Sequence, residues 1–441
     1  MRFVFLFFAI GLASIVYSGL GLAWDGAYQL AYTLENQFVI APYGRYTQVP
    51  ILVIVLALSR RSDSSFLLSW TFQAMHALLP LFALIASWVI VRSRRPELFV
   101  WIAFGIGLAT LPAQACLVCQ SIGTVQLGWI LFAAIATGMT RKGAIFTTIA
   151  IPLMLFHHPV AIILFTIATG FAFVSGIVSR EMRSHLWRWA CLFLVVTLVA
   201  IARMWLNQSE YESSKLGRDA WDTAWNLGVA GLPLQMVGFT WLAAVSVMAE
   251  LYAGKLRMLV RCVVFAAIGT ALLLLYVWGR DAQVWASAIE YRNWSVWLSI
   301  PLFILLILDV KRADIAFRRR VTQLTSVGFA VVLLVQSAAW IQLTERLRFV
   351  METSQDVCIE ARHIEGLPRT ALGGWTITSY ALLMQGKQPQ TLVYFWESCN
   401  QLDFSRGYWL ANIGPWDYHS WNSGWFDKRL LGQRIISNAS R

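Results

Sequence analysis

Long apolar runs separated by short polar links dominate the pattern along the chain. Runs near 3–22, 66–91, 98–113, 121–139, 143–156, 160–179, 189–205, 231–253, 258–278, 294–310 and 321–343 approach the roughly 20 residues that cross a bilayer, so the pattern predicts eleven transmembrane helices. Another apolar run, Val49 to Leu58, is only about ten residues long and reads as an interfacial or re-entrant segment. Hydropathy drops after Leu343, which divides the chain into a transmembrane part, 1–343, and a C-terminal part, 344–441. In the latter, Thr391 to Phe395 has the composition of a strand and Ala371 to Leu383 that of a helix, predicting a small domain of mixed α/β character.

The first polar stretch, Trp24-Asp25-Gly26-Ala27-Tyr28, opens a loop spanning 24–65. In it Ala27, Leu30, Ala31 and Leu34 recur at helical spacing, with Tyr28, Tyr32 and Glu35 towards the other side. This predicts an amphipathic helix lying on the surface, with Asp25 where an N-cap belongs. A carboxylate leaving the end of a first span is costly to place unless it meets water or a cavity, so Asp25 has two readings: helix cap, or general base or metal ligand. Glu35 lies ten residues on, about 15 Å along a helix, too far for a direct carboxylate pair.

Composition strengthens the membrane reading, because 58% of the residues are hydrophobic and only 13% are charged. A net charge of +12 is what a nucleic-acid partner would also call for, but Arg92 to Arg95, Arg141-Lys142, Arg180 to Arg188, Lys255 with Arg257, and Lys311 to Arg320 fall in alternate links. That is the distribution of the positive-inside rule. It predicts a plasma (inner) membrane protein with a cytoplasmic N-terminus and an extracytoplasmic C-terminal domain, and no nucleic-acid partner. The loop 24–65, the His157-His158-Pro159 turn, the segment near Glu290 and Arg292, and the C-terminal part then share the outer face.

The candidate chemistry gathers on that face. Arg45, Arg203 and Arg292 stand at outer boundaries, where an arginine either snorkels to lipid headgroups or holds a phosphate. His157 and His158 are either plain turn residues or ligand contacts, with Pro159 expected at the first position of the next helix. Tyr28, Glu35 and Glu290 are further candidates. Cys358 and Cys399 form a possible disulfide in an oxidising compartment. The Cys116/Cys119 pair lacks the partners of a zinc site, which leaves an outer-face disulfide or two small apolar residues. Cys191 and Cys262 read as packing residues within spans. The aromatic residues of the tail, such as Trp425-Phe426, either pack its core or stack on sugars.

This arrangement resembles the GT-C superfamily of integral membrane glycosyltransferases. The resemblance rests on Trp24-Asp25-Gly26-Ala27-Tyr28 at the start of the first outer loop, and on Gly44-Arg45-Tyr46 running into Pro50-Ile51-Leu52. It implies an inverting transfer of sugar from a polyprenyl-phosphate-linked donor to a cell-envelope glycan or lipid. Asp25 would be the catalytic carboxylate, and Arg45, His157, His158, Arg203 and Arg292 the phosphate holders. A divalent cation such as Mg or Mn is the cofactor the resemblance allows. Many members carry a second acidic residue beside the first, and none stands beside Asp25. Two other readings fit an outer-facing polytopic protein: a flippase or transporter of envelope lipids, and an O-antigen polymerase or ligase. The near absence of Asp, Glu and Lys inside the spans argues against an ion-coupled carrier. The outer segment of O-antigen enzymes usually lies between spans, whereas here it follows the last.

Overall fold

A computed structural model of the chain describes residues 2–23, 25–39, 46–110, 118–178, 180–206, 315–356, 358–364, 377–394, 399 and 425–426. These residues are mostly helical. The helices are α1 (Arg2–Ser18), α2 (Asp25–Asn36), α3 (Val49–Ser59), α4 (Ser65–Val91), α5 (Phe99–Thr110), α6 (Gln120–Ala136), α7 (Arg141–Leu155), α8 (Ala161–Val178), α9 (Arg183–Leu206), α10 (Ile315–Thr353) and α11 (Ile377–Gln385). Among the described residues three segments are long and apolar enough to cross a membrane, Ser65–Val91, Arg183–Leu206 and Ser326–Thr353. Arg2–Ser18, Pro96–Gly107, Gln120–Ala136 and Ala161–Ile177 are shorter apolar helices. The expected spans at 231–253, 258–278 and 294–310 lie outside the described residues.

Helix boundaries follow local chemistry. The Ser64 hydroxyl accepts from the Leu67 amide at 3.2 Å to cap α4, and Thr140 does the same for Gly143 at 3.2 Å in α7. α6 stops where Gly138 and Met139 adopt φ of 74° and 53°, with the Met139 amide returning to the Ala134 carbonyl at 2.7 Å. Val49–Ser59 is a single helix of 11 residues, about 16 Å long, so it is too short to cross, as the sequence indicates.

Short links make successive helices antiparallel and give the bundle two ends. At one, which we call the basic end, Phe5 of α1, Trp88 of α4 and Phe99 of α5 meet, with ring centroids 5.7 Å apart for Phe5 and Phe99 and 5.0 Å for Trp88 and Phe99. At the other, the turn end, the Gly21 amide donates to Gln73 of α4 at 2.9 Å, and the α7–α8 turn carries His157 and His158. α1 and α10 run parallel: Phe8 stacks on Phe329 with centroids 4.2 Å apart, Ser337 bonds Ser14 at 3.2 Å, and Gly19 abuts Trp340.

α10 passes through the hydropathy drop at Leu343 without a break and continues to Thr353. Beyond it, β1 (Cys358–Glu360) and β2 (Leu392–Tyr394) pair in parallel with α11 between them, and Cys358 is disulfide-bonded to Cys399. This unit sits on the turn end. Tyr380 of α11 accepts from the Trp340 indole at 3.0 Å beside Gly19, whose φ of 78° suits a glycine. Burial holds the Tyr380 phenol above its ordinary range, so it stays protonated. On the rim Lys387 pairs with Asp63 at 2.7 Å.

Candidate functional site

α2 is where structure and periodicity part. Ala27, Leu30, Ala31 and Leu34 are buried as the spacing requires, but so are Tyr28, Tyr32 and Glu35, the last only 1% exposed. The expected surface helix is therefore an enclosed one. One face packs on α3, α4 and the Leu20–Leu22 turn, and α11 covers another. The Trp425 amide donates to the Leu34 carbonyl at 3.2 Å, and Trp425 and Phe426 are both buried. Tyr28 and Tyr32 stack with centroids 5.9 Å apart.

The start of α2 is fixed by close approach. A Cβ on Gly26 would stand 2.4 Å from the Gly21 carbonyl oxygen and 3.2 Å from Val118, so only glycine fits between that turn and the segment before α6. Asp25 is the first residue of α2, one position inside the place the capping reading assigns it; its side chain lies outside the described residues. The helix is unbroken to Asn36, which keeps Asp25 and Glu35 at opposite ends.

A second cluster forms around Phe156 in the α7–α8 turn. Tyr46 meets the Phe156 ring edge-on at 6.0 Å, and the Thr47 hydroxyl and amide bond the Leu153 and Phe156 carbonyls at 3.1 and 3.4 Å. Arg203, in the last turn of α9, places its guanidinium 4.7 Å from the Phe156 ring centroid and donates to the Leu155 carbonyl. That carbonyl belongs to the C-terminal turn of α7, where a cation is favoured.

The two histidines of this turn differ. His158 is half-buried and its Nδ1 accepts from the Val160 amide at 3.1 Å, so its neutral form carries the proton on Nε2. His157 is buried, with Nε2 2.6 Å from where a Cβ on Gly123 would stand. Pro159 precedes α8 by two residues rather than opening it; the Ala161 amide bonds the His158 carbonyl at 3.0 Å.

The structure thus brings Arg203 and residues 46–47, the segment that directly follows Arg45, together on Leu153 to Phe156, next in the chain to His157 and His158. Arg45, Glu290 and Arg292 themselves lie outside the described residues, as do Cys116 and Cys262. Cys119 is a buried free thiol 3.0 Å from the Ser121 hydroxyl, which removes the disulfide alternative for it. Cys191, expected to pack inside a span, is a free thiol on the exposed side of α9. Among the described residues no three His, Cys, Asp or Glu side chains meet as a cation site.

Sequence reading missed the polar side chains between helices. Gln120 donates to Gln48 at 2.8 Å, Gln126 to Thr110 at 3.1 Å, and Gln73 and His76 are buried in α4. The signal was present: Gln73 and His76 are one turn apart in an otherwise apolar span, where polar residues are costly and usually functional.

No known protein family, characterised protein or solved structure matches this chain.

Proposed function

We propose that the chain is a membrane glycosyltransferase that moves a sugar from a polyprenyl-phosphate-linked donor to a glycan or lipid of the cell envelope. The observation carrying this reading is the convergence around Phe156 of Arg203, the histidine turn and the strand of chain next to Arg45, at the same end of the bundle as the start of α2. Eleven crossings with a cytoplasmic N-terminus complete the proposal. The short links at the basic end support that orientation: they hold Arg92, Arg94, Arg95, Arg141, Lys142 and Arg180, against Arg60 and Arg61 alone in the 60–64 link and no Lys or Arg in the 156–160 turn. The C-terminal unit would then be extracytoplasmic.

In the proposed reaction Asp25 takes the proton of the acceptor hydroxyl. The hydroxyl oxygen attacks the anomeric carbon, and the bond from that carbon to the phosphate oxygen breaks, inverting the centre. Polyprenyl phosphate departs with the bonding electron pair. Its growing negative charge is met by Arg203 and by the His158 Nε2–H, with Arg45 and Arg292 as further partners. Contacts with Leu155 and Phe156 pre-orient the Arg203 guanidinium, which lowers the entropy lost on binding a phosphate.

The test is sugar transfer from a polyprenyl-phosphate donor in membranes containing equal amounts of wild type and Asp25→Asn. Loss of a general base predicts a fall of about 10²- to 10⁴-fold; unchanged transfer overturns the mechanism.

A further inference from the structure

The two sides of α3 differ in burial but not in polarity. With about 3.6 residues per turn, Leu52, Val55, Leu56 and Ser59 share one side of the helix, and all four are buried. Pro50, Val53, Ile54 and Ala57 share the opposite side and are exposed, Val53 by 50%. Every residue of the exposed side is apolar. A helix surface turned to water would carry polar residues there, so this side meets something apolar.

The way α3 is held fixes its direction. At its start the Thr47 hydroxyl donates to the Leu153 carbonyl at 3.1 Å and Gln48 accepts from Gln120 at 2.8 Å, both at the turn end. At its finish the 60–64 link carries Asp63, which pairs with Lys387 at 2.7 Å, and Ser65 lies beside Gly386. Lys387 and Gly386 belong to the C-terminal unit, which also sits on the turn end. A straight helix about 16 Å long with both termini at one end of the bundle lies across that end and does not dip into it.

The surroundings identify what covers the apolar side. α3 packs on α4, which is long and apolar enough to cross a membrane. The first turns of α4 present Phe66 and Trp70, 65% and 45% exposed, as the aromatic anchors expected at a bilayer boundary. The exposed Asp63–Lys387 pair marks water just beyond them. The apolar side of α3 ends in Arg60 and Arg61, both exposed. Neither pairs with a carboxylate among the described residues, and Asp63 is taken by Lys387. The 156–160 turn at this end holds no Lys or Arg, so two adjacent arginines run against the local charge pattern. An apolar strip closed by two guanidiniums matches acyl chains beneath a layer of phosphates.

We propose that α3 and the Arg60-Arg61 pair form a docking surface for anionic phospholipid in the leaflet at the turn end. The exposed side of α3 lies at the boundary between acyl chains and headgroups, and the two guanidiniums contact lipid phosphates. This surface requires the chain to be embedded in a membrane and is independent of the transfer reaction.

The test uses the full chain reconstituted in phosphatidylcholine vesicles, with a dansyl-bearing amino acid incorporated at position 53 and, in a second preparation, at position 54. Trace phosphatidylglycerol or phosphatidylcholine carries a nitroxide, either close below the headgroup or at the end of the acyl chain. At both positions the shallow nitroxide should quench more strongly than the deep one. The order should reverse at Leu194, an exposed position in the middle of α9. Association drawn from the quenching should favour the anionic lipid about fivefold or more, the scale of a single cation at a charged surface. Arg60→Gln combined with Arg61→Gln should abolish that preference and leave the unfolding midpoint unchanged.

Stronger quenching by the deep nitroxide would show a segment that dips into the bilayer, and quenching by iodide instead of lipid would show a wet face. Quenching by neither would show a protein cover, whether another segment of the chain or a second copy. Each of these overturns the proposal. So does equal association of the two lipids, a preference that survives the double substitution, or a lowered midpoint, which would make the arginines structural. Loss or retention of transfer in Asp25→Asn bears on the catalytic reading alone, so either reading can fall without the other.

Discussion

The two ends of the bundle solve the same problem in different ways. Every helix terminus leaves carbonyls or amides unpaired, and each end must satisfy them. At the basic end side chains at the wet rim do so: Arg94 donates to the Thr137 carbonyl at 3.1 Å, Arg95 to Ala136 at 3.3 Å, and the His185 ring lies 3.0 Å from the Met139 carbonyl. These side chains stay partly in water, and Arg95 keeps Glu97 at 2.8 Å as a screened partner. At the turn end one arginine, Arg203, serves the Leu155 carbonyl, while the other partners are buried amides, hydroxyls and rings, and a second layer of chain covers α2. Charge at a wet rim tolerates loss, whereas a dry polar contact that loses one member strands the other. The turn end is therefore the one whose residues are bound to each other's identity.

Three substitutions break or sharpen this contrast. The largest effect is expected for Gly26→Val, which forces side-chain atoms into the Gly21 carbonyl; it should lower the stability of the purified chain by 3 kcal/mol or more, roughly the upper range for overpacking, read as a drop in the unfolding midpoint. Next comes Gln120→Leu, which removes the donor to Gln48 inside the bundle and should cost about 1–3 kcal/mol by the same measurement. Changing Gln48 to Leu as well should recover part of that loss, since neither amide is then stranded. Smallest is Arg95→Ala at the basic end, expected to cost less than about 1 kcal/mol and to do so mainly at low salt. An Arg95→Ala loss as large as that of Gln120→Leu would erase the distinction between the ends.

The helices themselves were readable because apolar length and periodicity report local burial directly. The Val49 run was rightly held too short to cross, and Arg203 falls in a last helical turn as its position indicated. α2 shows where that reasoning stops. Periodicity reveals that one face is buried against one partner; it is silent about a second layer arriving from 340 residues further along. Tyr28 and Tyr32, large rings with polar tips, look equally at home at an interface and under a cover. The meeting of Tyr46, Phe156 and Arg203 is likewise a product of tertiary packing, between segments 106 and 48 residues apart in the chain. His76 is a different case: a lone imidazole and a glutamine stand one turn apart in an otherwise apolar span, a signal plain in the sequence.

The parallel course of α1 and α10 reaches beyond packing. Two neighbouring rods that point the same way put Arg2 and the α11 unit at opposite ends of the bundle, so the proposed membrane arrangement requires that whichever compartment receives Arg2, the α11 unit emerges into the other. A membrane-impermeant label on a cysteine placed at Arg2 and another at Lys387 must never react from the same side of a sealed vesicle. That single pair of labels gives the whole molecule its direction.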